Sequence, residues 1–261
     1  MKRRWIVTGV VAWAVVVTGF ALYSSLEGTP TAREQTTIAD ALPTVDAALG
    51  HVYAALDPQA SVAVLGGYRR AEMSCRVTSA REGTRFTREL IVYVHKAAEG
   101  PTLDRVKGAL PASYQASVAH HDDEHLLTAD AGNFVAVHGA SYGPGVLRFT
   151  ADTGCRPQNA PVVEATPASQ NANRAPVEAV LSTLGTTASQ WRTHRLTCPD
   201  GGALWTVEAV TTGDGAKARA TVPAAAIILD QEKTFAYRAG AAGVSFRTED
   251  GNLVVASTAG C

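Results

Sequence analysis

Two stretches of this chain repeat one another, and each carries its own pair of cysteines. The first passes through Pro43, Val45 and Leu49, then Tyr68-Arg69, then Met73-Ser74-Cys75, and closes at Gly154-Cys155. The second passes through Pro176, Val177 and Leu181, then Trp191-Arg192, then Leu196-Thr197-Cys198, and closes at Gly260-Cys261. In both, a cysteine follows the aromatic of an aromatic-Arg pair at the same spacing, behind an aliphatic and a hydroxyl residue. A fixed internal repeat of this kind points to one α+β unit used twice. The expected units are residues 42–155 and 175–261, joined by a Pro-, Asn- and Ala-rich linker at 156–174. Units of that size sit near the lower end of independent stability and usually need a covalent staple.

The cysteines supply one. Four cysteines in an exported chain favour disulfides, and four allow three pairings that spacing alone does not separate. If each repeat closes on itself, the bonds are Cys75–Cys155 and Cys198–Cys261; the alternative is buried free thiols. No C-x-x-C occurs, which removes the usual signals for a thioredoxin-like redox pair or a zinc ribbon.

Export is argued from the N-terminus. Lys2, Arg3 and Arg4 precede an uncharged run from Trp5 to Tyr23. At 1.5 Å per residue such a run reaches about 28 Å, close to the hydrocarbon thickness of a bilayer. Cationic residues favour the cytoplasmic side, and Trp5 and Tyr23 stand where interfacial aromatics belong. The expectation is residues 1–4 in the cytoplasm, a single transmembrane signal-anchor at 5–23 and an extracytoplasmic stalk at 24–41. The competing readings are a cleaved signal peptide, for which the sites near Ser25 and Ala32 are poor, and a buried soluble helix. With Cys75 the first cysteine, a lipidated N-terminal cysteine is excluded.

Within the first repeat, Val45, Leu49, Val52, Tyr53 and Leu56 recur at helical spacing from Leu42. Strands are expected over 68–78 and 86–95 about a polar turn, then a helix at 101–110 and short strands near 114–119, 125–129, 134–138 and 146–151. The second repeat is a shortened copy: a helix at 176–184, a hairpin of 191–197 and 204–212, and strands near 234–238, 244–248 and 253–257. The match weakens between Ala216 and Leu229.

Chemistry-bearing motifs are few. His120-His121-Asp122-Asp123-Glu124-His125 holds metal-ligating side chains, with His120, His121 and His125 as candidate ligands; the bland reading is a solvated hairpin tip. Gly139-Ala-Ser141-Tyr-Gly143 matches a nucleophile-elbow pattern, but the glycines after it read as a turn into another strand, whereas the elbow needs a helix. Tyr68-Arg69 and Trp191-Arg192 are a duplicated candidate binding feature, since aromatic residues and Arg often anchor interfaces; otherwise they mark where each helix meets its sheet. No Walker loop, dinucleotide fingerprint or H-E-x-x-H is present, and no cofactor is expected. A formal charge of −1 with scattered basic residues gives no nucleic-acid footprint. Arg outnumbers Lys 18 to 5, a drift typical of GC-rich bacterial genomes.

The functional expectation is therefore a membrane-anchored, extracytoplasmic, non-catalytic binding or interaction module of a bacterial envelope, held to the membrane by its N-terminal helix and meeting an envelope partner. A divalent-metal-binding protein built on the histidine cluster is the second reading, and an envelope hydrolase the third.

Overall fold

The structure, a computed structural model, describes residues 2–27, 36–78, 81–157, 161–162, 174–213 and 215–261. The middle of the expected stalk and most of the expected linker lie outside these residues. Helix α1 (Lys2–Glu27) contains the expected membrane span, and Val10, Trp13 and Phe20 on it are exposed. Among the described residues no helix is long and apolar enough to cross a membrane.

Helix α2 (Ile38–Ala54) begins earlier than its apolar period suggests because Thr37 caps it. Asp40 N donates to the Thr37 hydroxyl at 3.3 Å, and Thr37 N donates to the Asp40 carboxylate at 2.8 Å. This reciprocal pair satisfies two amides that a helix start otherwise leaves open. Ile38, Ala41, Val45, Ala48, Leu49 and Val52 form its buried face, so Pro43 stands inside the helix instead of opening it.

Two six-stranded antiparallel sheets make up the rest. In spatial order the first contains β1 (Ser61–Arg70), β4 (Phe86–Val94), β8 (Val146–Asp152), β7 (Ala136–Gly143), β6 (Glu124–Asp130) and β5 (Ser117–His121). A small hairpin of β2 (Cys75–Thr78) and β3 (Arg81–Gly83) rises between β1 and β4, where the sequence suggested one long strand. The second sheet contains β9 (Gln190–Thr197), β10 (Ala203–Thr211), β14 (Asn252–Gly260), β13 (Ala242–Glu249), β12 (Thr234–Ala239) and β11 (Ile227–Asp230). With β2–β3 set aside, both sheets place their strands in the order first, second, sixth, fifth, fourth, third. A helix separates the second and third strands in each case: α3 (Glu99–Ala109) in one, and the single turn α5 (Ala216–Arg219) in the other.

Three cores hold these elements in four layers. Leu90, Val92 and Val94 of β4 point at α2 and α3, while Tyr93, between them, points the other way. Val177, Val180 and Leu181 of α4 (Arg174–Leu184) cover the outer face of the second sheet against Phe235, Phe246 and Val255. Between the sheets Val62, Val64 and Tyr93 meet Ile228, Leu229, Ala236 and Ala256. The two halves are thus one body, and α2 reinforces this by sharing its core with Leu196, Cys198 and Leu204 of the second half. Gly145, at φ +74°, seats the β7–β8 turn on the second sheet; a Cβ there would lie 2.5 Å from Leu229 Cδ1 and 2.8 Å from the Val94 carbonyl.

The disulfides are Cys75–Cys155 and Cys198–Cys261, with Cα atoms 5.9 Å apart in both. Each ties the exit of its sheet's first strand to the end of the last, and neither crosses between halves.

Candidate functional site: the cleft between the sheets

Successive side chains of a strand point to opposite faces, so each aromatic-Arg pair is divided between two layers. Tyr68 turns to the helix side. Its hydroxyl donates to Asp46 Oδ1 on α2 at 2.5 Å, and Arg88 Nη1 donates to the same oxygen at 2.5 Å. The Arg88 side chain is 2% exposed and its guanidinium lies 4.6 Å from the Tyr68 ring centre. Trp191 likewise meets α4, with the Arg174 guanidinium 3.9 Å from its ring. Both aromatics are where a helix docks on its sheet.

Burial, and then the Asp46 carboxylate, push the Tyr68 phenol well above its ordinary value against the pull of Arg88. Burial raises Tyr53, Tyr93, Tyr114 and Tyr237 as well. A folded-state pKa above the unfolded one means that this contribution to stability is complete below about pH 10 and is lost as pH climbs through the folded value. Phenolate absorbance from these buried tyrosines is therefore expected to rise in step with alkaline unfolding; their ionisation near pH 10 with the fold intact would contradict this.

Arg69 and Arg192 line the opposite side, a cleft of about 560 Å³ between the sheets. Its apolar floor is Val64, Ile91, Tyr93 and Val146, and its walls are charged. Arg148 Nε lies 3.3 Å from Glu89, with its guanidinium 3.9 Å from the ring centre of Tyr142. Arg247 pairs with Glu208 at 3.0 Å and with Glu249 at 3.3 Å. Burial works to lower the Arg247 pKa, but Glu208, Tyr93 and Glu249 outweigh it and hold the guanidinium above its ordinary value. Glu208 is 4% exposed, so this pair is desolvated and costly to break from one side.

The charges do not cancel. Four arginines face three glutamates across the cleft. Among the described residues Arg69 makes no ion pair, and Arg192 donates to the uncharged Gln190 carboxamide at 3.0 Å. Among the described residues Arg247 Nη1 is buried without a hydrogen-bond acceptor. Such a donor holds a standing preference for an acceptor, because an unmet buried donor costs about 1–3 kcal/mol.

No family model, curated protein or solved structure matches this chain.

A larger cavity of about 770 Å³ lies between α2 and β9, beside His51 and Arg195. Its polar floor is Asp46, Arg88 and Tyr68, which already satisfy one another, so the cleft between the sheets is the stronger candidate.

The other motifs fall elsewhere. His120 and His125 are cross-strand partners on the β5–β6 hairpin, with Nδ1 atoms 3.0 Å apart. His121 pairs with Glu124 on the opposite face and is 88% exposed, so the expected three-histidine set is not brought together. Among the described residues no group of three or more His, Cys, Asp or Glu is placed to hold a metal. Ser141 lies on β7, which turns through Gly143–Gly145 into β8; its hydroxyl accepts from His125 N at 2.9 Å and donates to the Asp123 carbonyl at 3.2 Å. It braces a hairpin.

Proposed function

We propose that this chain is a membrane-tethered, extracytoplasmic, non-catalytic binding module of a bacterial envelope, and that its ligand occupies the cleft between the two sheets. The observation that carries the reading is the meeting of Arg69 and Arg192, from the first strands of the two sheets, at one cleft with surplus positive charge. A pocket that is partly apolar and fixes orientation through a few polar groups is the usual form of a small-molecule site. The ligand chemistry that fits is a carboxylate, or a comparable small anion, on a partly apolar body: guanidinium forks take the anion in bidentate fashion, and Val64, Ile91 and Tyr142 take the body.

The placement rests on three supports. Two disulfides suit an oxidising compartment. Residues 5–23 serve as the anchor with residues 1–4 inside, and 24–41 as the stalk. The shared strand order, with equivalent disulfides, supports duplication of one unit, residues 42–155 and 175–261 joined by 156–174.

A thermal-melt screen of the full chain in lipid nanodiscs tests the cleft. At least one class among aliphatic and aromatic carboxylates should raise the melting temperature of the wild type, less so at high salt, and should leave R69E/R192E unmoved. Equal shifts in both proteins, or none in either, would remove the reading. Resistance of the chain to alkaline carbonate extraction tests the anchor separately.

A further inference from the structure

We infer that the β5–β6 hairpin carries a two-histidine clamp for a square-planar divalent cation of the copper(II) type, separate from the cleft. The hairpin turns tightly at Asp122-Asp123, with Asp122 at φ +49°. Period two then sets His120 directly across from His125 on the face turned toward α3. The ring centres are 4.9 Å apart, the planes are inclined at 73°, and the two Nδ1 atoms face each other at 3.0 Å.

The separation of 3.0 Å between those nitrogens is that of a hydrogen bond, and it is also the bite that one coordination geometry asks for. With metal–nitrogen bonds of roughly 2.0–2.1 Å, two imidazoles at a tetrahedral angle have nitrogens about 3.4 Å apart, and at a right angle about 2.9 Å. The hairpin sits at the right-angle value. Right-angle N,O coordination belongs to copper(II) and nickel(II), and copper(II) lies at the top of the divalent affinity order.

The surroundings prepare the donors. Asp104 on α3 lies 3.3 Å from His120 Nε2 and holds that ring with Nε2 protonated, leaving the Nδ1 lone pair outward. A carboxylate behind a ligating imidazole is the arrangement that fixes tautomer and raises basicity at metal sites. His125 packs over Gly100, where a Cβ would lie 3.2 Å from its Nε2; the bare helix turn is what admits the ring. Without metal the two Nδ1 atoms share one proton as a hydrogen bond; binding through both Nδ1 atoms leaves His120 protonated at Nε2 and shifts the His125 proton from Nδ1 to its own Nε2, so both ligands stay neutral imidazoles. The remaining equatorial positions go to water, since His121 points away.

The test is titration of the full chain in nanodiscs with copper(II), read by calorimetry and by electron paramagnetic resonance. One equivalent should bind with a tetragonal spectrum showing two nitrogen couplings, and more tightly than zinc(II). H120A and H125A should each weaken binding at least tenfold and remove one nitrogen coupling. D104N should weaken it about tenfold while both couplings remain, and H121A should leave affinity and spectrum unchanged. A wild-type spectrum retained in H125A, equal losses in H121A, or tighter binding of zinc(II) than of copper(II) would overturn the clamp. The cleft variant R69E/R192E should bind copper(II) as the wild type does, which keeps this result separate from the cleft's.

Discussion

Replacing Cys75 and Cys155 together by Ser, or Cys198 and Cys261 together, is expected to lower the unfolding free energy by about 4 kcal/mol in each case. The rings span 80 and 63 residues. Cross-links of that length restrict the unfolded chain by about 4 kcal/mol in the chain-entropy account. Domains of ordinary stability hold only about 5–15 kcal/mol in total, so removing both pairs should leave little folded protein at physiological temperature. Chemical denaturation of each variant measures the loss, and a change below about 1 kcal/mol would contradict it. The form of the transition is informative too. Cys198 and Leu196 belong to the core beneath α2, and Val62 and Tyr93 to the core between the sheets. Either double variant should therefore melt in one cooperative step; two separated transitions would mean that the halves stand apart.

Asp46→Ala is expected to cost about 3–5 kcal/mol, because it breaks from one side the ion pair made by the buried Arg88 guanidinium. Tyr68→Phe removes a single hydrogen bond to the same carboxylate and should cost about 1 kcal/mol. Replacing the pair together, as Asp46→Leu with Arg88→Met, should recover most of the loss, since a desolvated ion pair and well-packed apolar side chains of similar volume are often close in energy. Urea melts of the three variants decide the matter. An Asp46→Ala protein as stable as the wild type would mean that α2 is held by its apolar face alone.

Periodicity and the repeat made the larger elements legible. Val45, Leu49 and Val52 mark the buried face of α2, and the repeat selected the disulfide pairing that spacing could not. The start of β1 was hidden because Ser61-Val-Ala-Val-Leu65 is buried on both faces, between α2 and the second sheet, and so shows no alternation. Strand β11 was missed for a similar reason: Ile228 and Leu229 are successive buried residues against the first sheet. The early start of α2 was written in Thr37-x-x-Asp40, a capping box with Asp in place of the usual Glu.

The candidate site was only half legible. Arg69 and Arg192 stood out because they recur at equivalent places, but their aromatic neighbours belong to helix docking. Nothing local marks Glu89, Arg148, Glu208 or Arg247. They come from four strands in both halves, and only the stacking of the two sheets brings them to one cleft. The histidine cluster shows the converse, since adjacency in sequence places His121 on the face opposite His120.

The account turns on the cleft holding an anion between paired arginines, and native mass spectrometry of the full chain, released from lipid nanodiscs after gentle extraction from its own membranes, tests that most directly. The wild type should carry a bound small acidic molecule that R69E/R192E lacks while remaining folded. An identical mass for both, or the same adduct retained by the double variant, would contradict it.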